Sequence, residues 1–317
     1  MPNLFAHNLL VKRFYIKEDE EKLDYSSSFI KGNFDFLALG SQGPDPLFYV
    51  GIIPFHAPHL LTAKKRLGNK IHKTDGKKFF RLLVERCYII EDLKEKACFQ
   101  SFVFGQFAHY LLDREAHPYI IYESGFDEDG KIKGKYHYEH AHFEEQIDAL
   151  LAKKFKMTYF LSNPGEVLCK REDALKLIDK NLVPVLKKFF SDEKIPNKIY
   201  TCAIKNMHSA IAFMNHHGKI KSKIVGKNNL GALYIDADKA DPKVLNSDKE
   251  AWLDPVTGSS HHESFLELHS RAYDILVQCY YDILKNGFYY EVFSRYLNGL
   301  DYYGLPVGSK WTYKKQK

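Results

Sequence analysis

Phe104-Gly-Gln-Phe-Ala-His-Tyr-Leu-Leu-Asp-Arg-Glu-Ala-His-Pro-Tyr119 sets His109, Asp113 and His117 four residues apart. On a helix each step of four advances about 6 Å and turns only about 40°. Three potential metal ligands therefore lie along one narrow stripe. The residues between them, Tyr110, Leu111 and Leu112, are apolar or aromatic, which predicts that the stripe faces an interior. Polar ligands at buried positions need partners, and a metal ion is one. Pro118 disfavours helical geometry at His117, which predicts that the helix closes there and that His117 serves a different ion from His109. A single His-x-x-x-Asp on a helix is more often an ordinary hydrogen-bonded pair, so the rest of the chain has to decide.

The chain of 317 residues has room for one large domain or two ordinary ones. Our division is a site-bearing core at residues 1–160 and a helical region at 161–317 that completes the same domain or adds to it. Hydrophobic residues are 45% and charged residues 27%, which is the globular range and argues against extensive disorder. With 23 Phe and 21 Tyr, a core filled largely with rings is expected. Net charge is +6, with acids and lysines interspersed as at Glu18–Lys22 and Glu91–Lys96. That pattern reads as solvated helix faces. A modest positive field helps an anionic phosphate approach but does not single out nucleic acid.

The five cysteines are odd in number, widely spaced and contain no Cys-x-x-Cys. This argues against a disulfide framework or a thiolate zinc site, and for a reducing compartment. The first residues, Met-Pro-Asn-Leu-Phe-Ala-His, lack a basic segment followed by an apolar run, so no secretory signal is expected and the chain reads as cytoplasmic. Residues 36–61 carry one charge, Asp45, but their four prolines and three glycines exclude a spanning helix.

Taken in order, residues 1–31 read as helical, with His7 in an apolar setting. A second helical run stops at Gly40, and a tight Gly43-Pro44-Asp45-Pro46 corner follows. Asp45 either caps a turn or serves as a rigidly held ligand or base. The lack of other charge nearby favours the second, because an uncompensated buried carboxylate is costly. His56 and His59 read as loop residues. His72 lies just before an amphipathic helix over 75–95, whose inner side carries Phe79, Phe80, Leu83, Val84 and Tyr88. The central helix is expected over about 95–116.

Asp127, Glu128 and Asp129 lack the spacing of a helix-loop-helix calcium site and read as a solvated turn. In the next helix His140 and Glu144 stand at i, i+4, half of a zinc site. His137 and His142 offer other registers, but only His140 has a carboxylate four residues on that pairs with it along the helix face. The second half predicts helices over 171–191, 197–216 and 261–286, the last capped by Ser260 and Glu263. His216 and His217 read as a helix C-terminus. The basic tail 309–317 is expected to fray, and no strands are expected.

The first 150 residues thus offer His7, Asp45, His72, His109, Asp113, His117, His140 and Glu144 from five segments. All are nitrogen or oxygen ligands, which suits zinc in a hydrolytic site. Eight exceed the need of one ion, so a cluster of two or three is inferred. These residues, with the Gly43-Pro44-Asp45 corner, make the chain resemble the zinc-dependent phospholipase C family, which is grouped with single-strand-specific nucleases. The string Leu39-Gly-Ser-Gln-Gly-Pro-Asp-Pro-Leu-Phe-Tyr49 resembles a signal-less bacterial branch of it, as do Trp252-x-Asp-Pro-x-Thr-Gly258 and Glu263-Ser-Phe-Leu-Glu-Leu268. The resemblance is strong over residues 3–150 and weak beyond.

The resemblance implies an all-α, multi-helix phospholipase C/nuclease-like bundle around a cluster of up to three zinc ions, with additional C-terminal helices. By position, Asp45, His72, His109 and Asp113 would hold one ion, and Asp113 would bridge to a second held with His7. His117, His140 and Glu144 would hold the third. Secreted relatives also use the processed N-terminal residue as a ligand; here Pro2, exposed on removal of Met1, stands at that place. Zinc lowers the pKa of bound water towards about 7, and paired ions clamp a phosphate. Asp45 would be the catalytic carboxylate that orients or deprotonates the water. The implied substrate is a phosphodiester, with phospholipid favoured by the apolar stretch 46–61. Two alternatives stand beside it: a nuclease or nucleotidase on the same metal core, its spare rings stacking bases, and a non-catalytic helical binding protein stabilised by metal.

Overall fold

The computed structural model describes residues 4–20, 29–51, 66–216 and 233–316. Among these the chain is all-α. The helices are α1 (Leu4–Glu20), α2 (Phe34–Gly40), α3 (Arg66–His72), α4 (Lys77–Ile89), α5 (Leu93–Ser124), α6 (Lys135–Lys154), α7 (Thr158–Ser162), α8 (Glu172–Phe189), α9 (Ile199–Asn215), α10 (Phe265–Asn286) and α11 (Tyr290–Ser294). The two-residue strands β1 (Trp252–Leu253) and β2 (Ser260–His261) pair antiparallel, Trp252 opposite His261. Pro2, His56, His59, His217 and most of the basic stretch after it lie outside the described residues.

The opening stretch lies inside α5, a 32-residue helix buried on all sides from Phe102 to Arg114. A helix that is apolar all round belongs in the middle of a fold, and here the others pack around it. Rings fill much of the core: Phe14 lies 5.5 Å from Phe104 and 5.1 Å from Tyr280, and Phe102 meets Tyr200 at 5.4 Å. One apolar cluster joins residues of α1, α5, α8, α9 and α10, so the two halves of the chain share it.

α2 crosses α5 with glycine against glycine. A Cβ on Gly40 would lie 2.1 Å from the Phe102 carbonyl oxygen, and one on Gly105 would lie 2.3 Å from that of Leu37. The backbones therefore touch, which brings the end of α2 directly over the helix that carries His109. α9 holds the same region from the other side: the Tyr200 hydroxyl donates to the Leu39 carbonyl at 2.8 Å, and the Asn206 amide to that of Tyr49 at 3.0 Å.

Several elements differ from expectation. Pro118 does not end α5, which runs on to Ser124. Proline removes one helical bond and presses on the carbonyl four residues back, but Ala116, Tyr119, Ile120 and Ile121 are buried on both sides of it, and tertiary burial outweighs local preference. The helix expected over 75–95 is two elements. Asp92 breaks it by accepting the Glu95 N–H at 2.7 Å as the N-cap of α5. Tyr88, expected inside, is 51% exposed. His72 does precede α4, but as the last residue of a separate short helix, α3.

The capping box of α10 is Ser264–Glu267, four residues later than Ser260–Glu263. Residues 260–261 are taken by the strand pair instead. The tail does not fray: the Thr312 N–H donates to the Pro255 carbonyl at 2.7 Å, the Lys315 N–H to that of Tyr122 at 3.0 Å, and Trp311 packs on Phe126. Asp127 closes its turn by accepting the Asp129 and Lys131 N–H groups, as a solvated turn does.

Candidate metal centre

Each of the eight side chains is buried, none more than 6% exposed. α1 supplies His7, the short 3-10 turn Asp45–Tyr49 supplies Asp45, α3 supplies His72, α5 supplies His109, Asp113 and His117, and α6 supplies His140 and Glu144. They fall into three groups, the ligand atoms within each lying within 4.8 Å of one another: His7, Asp45 and His109; His72, His109 and Asp113; and, sharing no member with these, His117, His140 and Glu144. On α6, His137 points to solvent and His142 is half-buried, while His140 and Glu144 face inward.

Asp113 stands among four imidazoles, those of His7, His72, His109 and His117. Its Oδ1 lies 3.2 Å from His7 Nε2 and its Oδ2 lies 3.0 Å from His109 Nε2 and 3.5 Å from His72 Nε2. One carboxylate thus presents its two oxygens to two sets of imidazoles. Asp45 Oδ1 stands 3.1 Å from His72 Nε2. Glu144 Oε1 lies 3.3 Å from His140 Nε2 and 3.4 Å from His117 Nε2. The His117 and His140 rings are parallel at 5.5 Å, and His7 stacks on His109 at 4.0 Å.

The corner before Asp45 is held from α5. Gln106, one turn before His109, donates its amide to the carbonyls of Gly40 and Gly43 at 3.2 and 3.0 Å. Gly43 has φ +56°, and a Cβ there would lie 2.2 Å from the His109 ring. Glycine is required twice over, by the left-handed backbone and by the imidazole against it.

Backbone carbonyls fix three of the five imidazoles. Nδ1–H of His72 donates to Gly68 at 2.8 Å, that of His109 to Ser41 at 3.0 Å and that of His117 to Tyr302 at 2.7 Å. A carbonyl can only accept, so each Nδ1 carries a proton and Nε2 is the nitrogen left to meet a metal. The three Nε2 atoms face the carboxylates. His109 Nε2 and Asp113 Oδ2, 3.0 Å apart, are both without a hydrogen-bond partner among the described residues, as is His7 Nδ1. Buried acceptors facing one another repel unless a cation lies between them. The donor set, its burial and its carbonyl anchors fit divalent metal ions.

The electrostatics agree. Burial alone would raise the Asp113 carboxyl, but His109, His117 and His7 hold it well below the usual range. Asp45 is likewise lowered against burial by His72 and His109. Burial would lower His72, yet Asp113 and Asp45 push it up to about 9. Burial lowers His7 and His140.

Sequence reading did not find the segment that covers this cluster. Residues 300–306 form a turn closed by a Leu300–Pro306 bridge. Its Tyr302 takes the His117 proton on its carbonyl and donates its own N–H to the His72 carbonyl at 3.1 Å. The Tyr302 ring lies 5.0 Å from His72, and the Tyr303 ring 5.4 Å from His117. Nothing local in Asp301-Tyr-Tyr-Gly304 announces this. No helix among the described residues is long and apolar enough to cross a membrane. Comparisons with protein-family models, with curated proteins and with solved structures found no match.

Proposed function

We propose that the chain is a zinc-dependent hydrolase of phosphodiester bonds, with the fold and three-ion plan of the phospholipase C-like enzymes it resembles. The observation that carries this reading is the gathering of eight buried nitrogen and oxygen ligands into three groups, with four of the imidazoles around the two oxygens of Asp113. A structural zinc site needs four ligands and favours thiolates. This set is twice that size, and all five cysteines lie elsewhere. In our assignment Asp45, His72, His109 and Asp113 hold one ion, Asp113 and His7 a second, and His117, His140 and Glu144 the third.

Zinc, when bound, supplies Lewis acidity and a water acidified to near neutral pH. The protein supplies the rest. Carbonyl-anchored imidazoles hold the ligand geometry. The proline-flanked Asp45, kept ionised by His72 and His109 against the effect of burial, accepts a hydrogen bond from the attacking water and aims it. A carboxyl with a lowered pKa is a poor proton sink, so aiming is favoured over deprotonation. Phe48, 5.3 Å from His72, and Tyr303 border the cluster with rings that suit an apolar portion of the substrate.

The test measures zinc per chain and then hydrolysis of a chromogenic phosphodiester, phosphatidylcholine and single-stranded DNA. Two to three ions and turnover of the generic diester are expected, with phosphatidylcholine preferred over DNA. Asp113→Asn should lose at least one ion and on the order of a thousandfold in activity. Full activity in that variant, or inertness of the zinc-loaded wild type towards all three substrates, would sink the assignment.

A further inference from the structure

The first turn of α1 is held by groups from three other elements. The Asp148 carboxylate, on α6, accepts the Phe5 N–H at 2.8 Å and the Ala6 N–H at 2.9 Å. His269, on α10, stands with Nε2 3.3 Å from the Ala6 carbonyl and Nδ1 3.3 Å from the Arg13 guanidinium. Arginine only donates, so Nδ1 accepts and Nε2–H donates. The Gln42 amide reaches the Leu4 carbonyl at 3.4 Å. His7 is the next residue.

The first N–H groups of any helix lack intrahelical acceptors, and a carboxylate is favoured there. Usually the acceptor is the helix's own N-cap, one to three residues away. Here it comes from 142 residues downstream. It is also an expensive one: Asp148 is 2% exposed, and burial, with Glu144 and Glu145 nearby, pushes its carboxyl up. Asp148 lies four residues after Glu144 and eight after His140, on one stripe of α6. The same rigid rod therefore bears two members of one ligand group and the clamp on the turn that presents His7.

We propose that Asp148 is a positioning residue that registers His7 against Asp113, so that α6 sets the geometry of the His7 part of the metal centre as well as supplying His140 and Glu144. The proposal rests on the metal-centre reading above. It requires that loosening the clamp weaken the ion beside His7 while the His117–His140–Glu144 group keeps its own. A merely structural cap would change folding stability and leave the individual metal affinities alone.

The experiment titrates Co(II) into the chelator-stripped full-length protein, followed by its visible spectrum and by metal content per chain. It compares wild type, Asp148→Asn, His7→Gln and the double variant. Asp148→Asn keeps the shape of the side chain but leaves only one good acceptor for two N–H groups. It should weaken the same ion that His7→Gln weakens, at least tenfold, with the other ions unchanged. The double variant should be no worse than His7→Gln alone, because both changes act on one ligand.

Wild-type affinities at every site in Asp148→Asn, or equal loss at all of them, would overturn the proposal while leaving the metal reading intact. A wild type that binds no ion overturns both. If Asp148→Asn does not fold by circular dichroism, the comparison passes to Asp148→Glu. That variant keeps the charge and moves the carboxylate by one methylene, and unchanged affinity in it counts equally against the proposal.

Discussion

His109 Nε2 and Asp113 Oδ2 face each other at 3.0 Å with no hydrogen bond between them. In the metal-free chain only protons can relieve such crowding, and His72 answers it: Asp113 and Asp45 overcome burial and hold its imidazole protonated to about pH 9. A bound metal must displace that proton. Loading the protein at pH 7.5 is therefore expected to release at least one proton per chain, read by calorimetry in buffers of different ionisation enthalpy. Apparent affinity should fall about tenfold per pH unit for each proton displaced as the pH drops below 9. Loading without proton release would contradict this account of the ligands. The sign for folding is opposite. In the metal-free chain the raised His72 pKa adds stability that is complete below 6.5 and lost as the pH rises through about 9.

Among the elements, the crossing of α2 and α5 governs the site. Gly105 lies one turn before His109, and Gly40 just before the corner that carries Asp45. Gly105→Ala puts a methyl 2.3 Å from the Leu37 carbonyl oxygen, so the helices must part. We expect a loss of about 1–3 kcal/mol in urea unfolding of the metal-free protein. Weaker metal binding should accompany it, because the corner moves with α2. Stability lost with metal affinity retained would mean that the corner is positioned independently of the crossing.

Local signals along the chain fix some of these elements and not others. His109, Asp113 and His117 were legible on one helix because their spacing is local. The end of α5 was not, because Pro118 acts locally while the burial that overrides it comes from distant residues. The cap of α10 was misread for a related reason. Ser260-x-x-Glu263 and Ser264-x-x-Glu267 are equivalent as local signals, and pairing of residues 260–261 with β1 chooses between them.

At the scale of the whole molecule, a cluster of three carboxylates and five imidazoles lies at the meeting point of α1, α3, α5 and α6, so metal held there would be coupled to folding. Each ion present at a thousand times its Kd adds about 4 kcal/mol to stability. Removing two by chelation is expected to lower Tm by roughly 10 °C or more, restored by zinc and seen by scanning calorimetry. An unchanged Tm would argue that the buried ligands are satisfied by protons alone. The apolar core shared by α1, α5 and α10 means that the loss should appear as one transition rather than two.

The sequence by itself determined the candidate ligands and the helical class. The spacing of His109, Asp113 and His117 and of His140 and Glu144 is local and needs no partner to be read, while the helical class came with the resemblance those residues carry. The tertiary structure decided how four imidazoles gather on Asp113, which carbonyls anchor His72, His109 and His117, and how Tyr302 and Asp148 reach across the chain to the elements that carry them. The Tyr302 carbonyl reaches His117 across 185 residues, and Asp148 reaches Ala6 across 142. Such contacts depend on how the helices pack, and packing is set by the whole core rather than by any stretch of it.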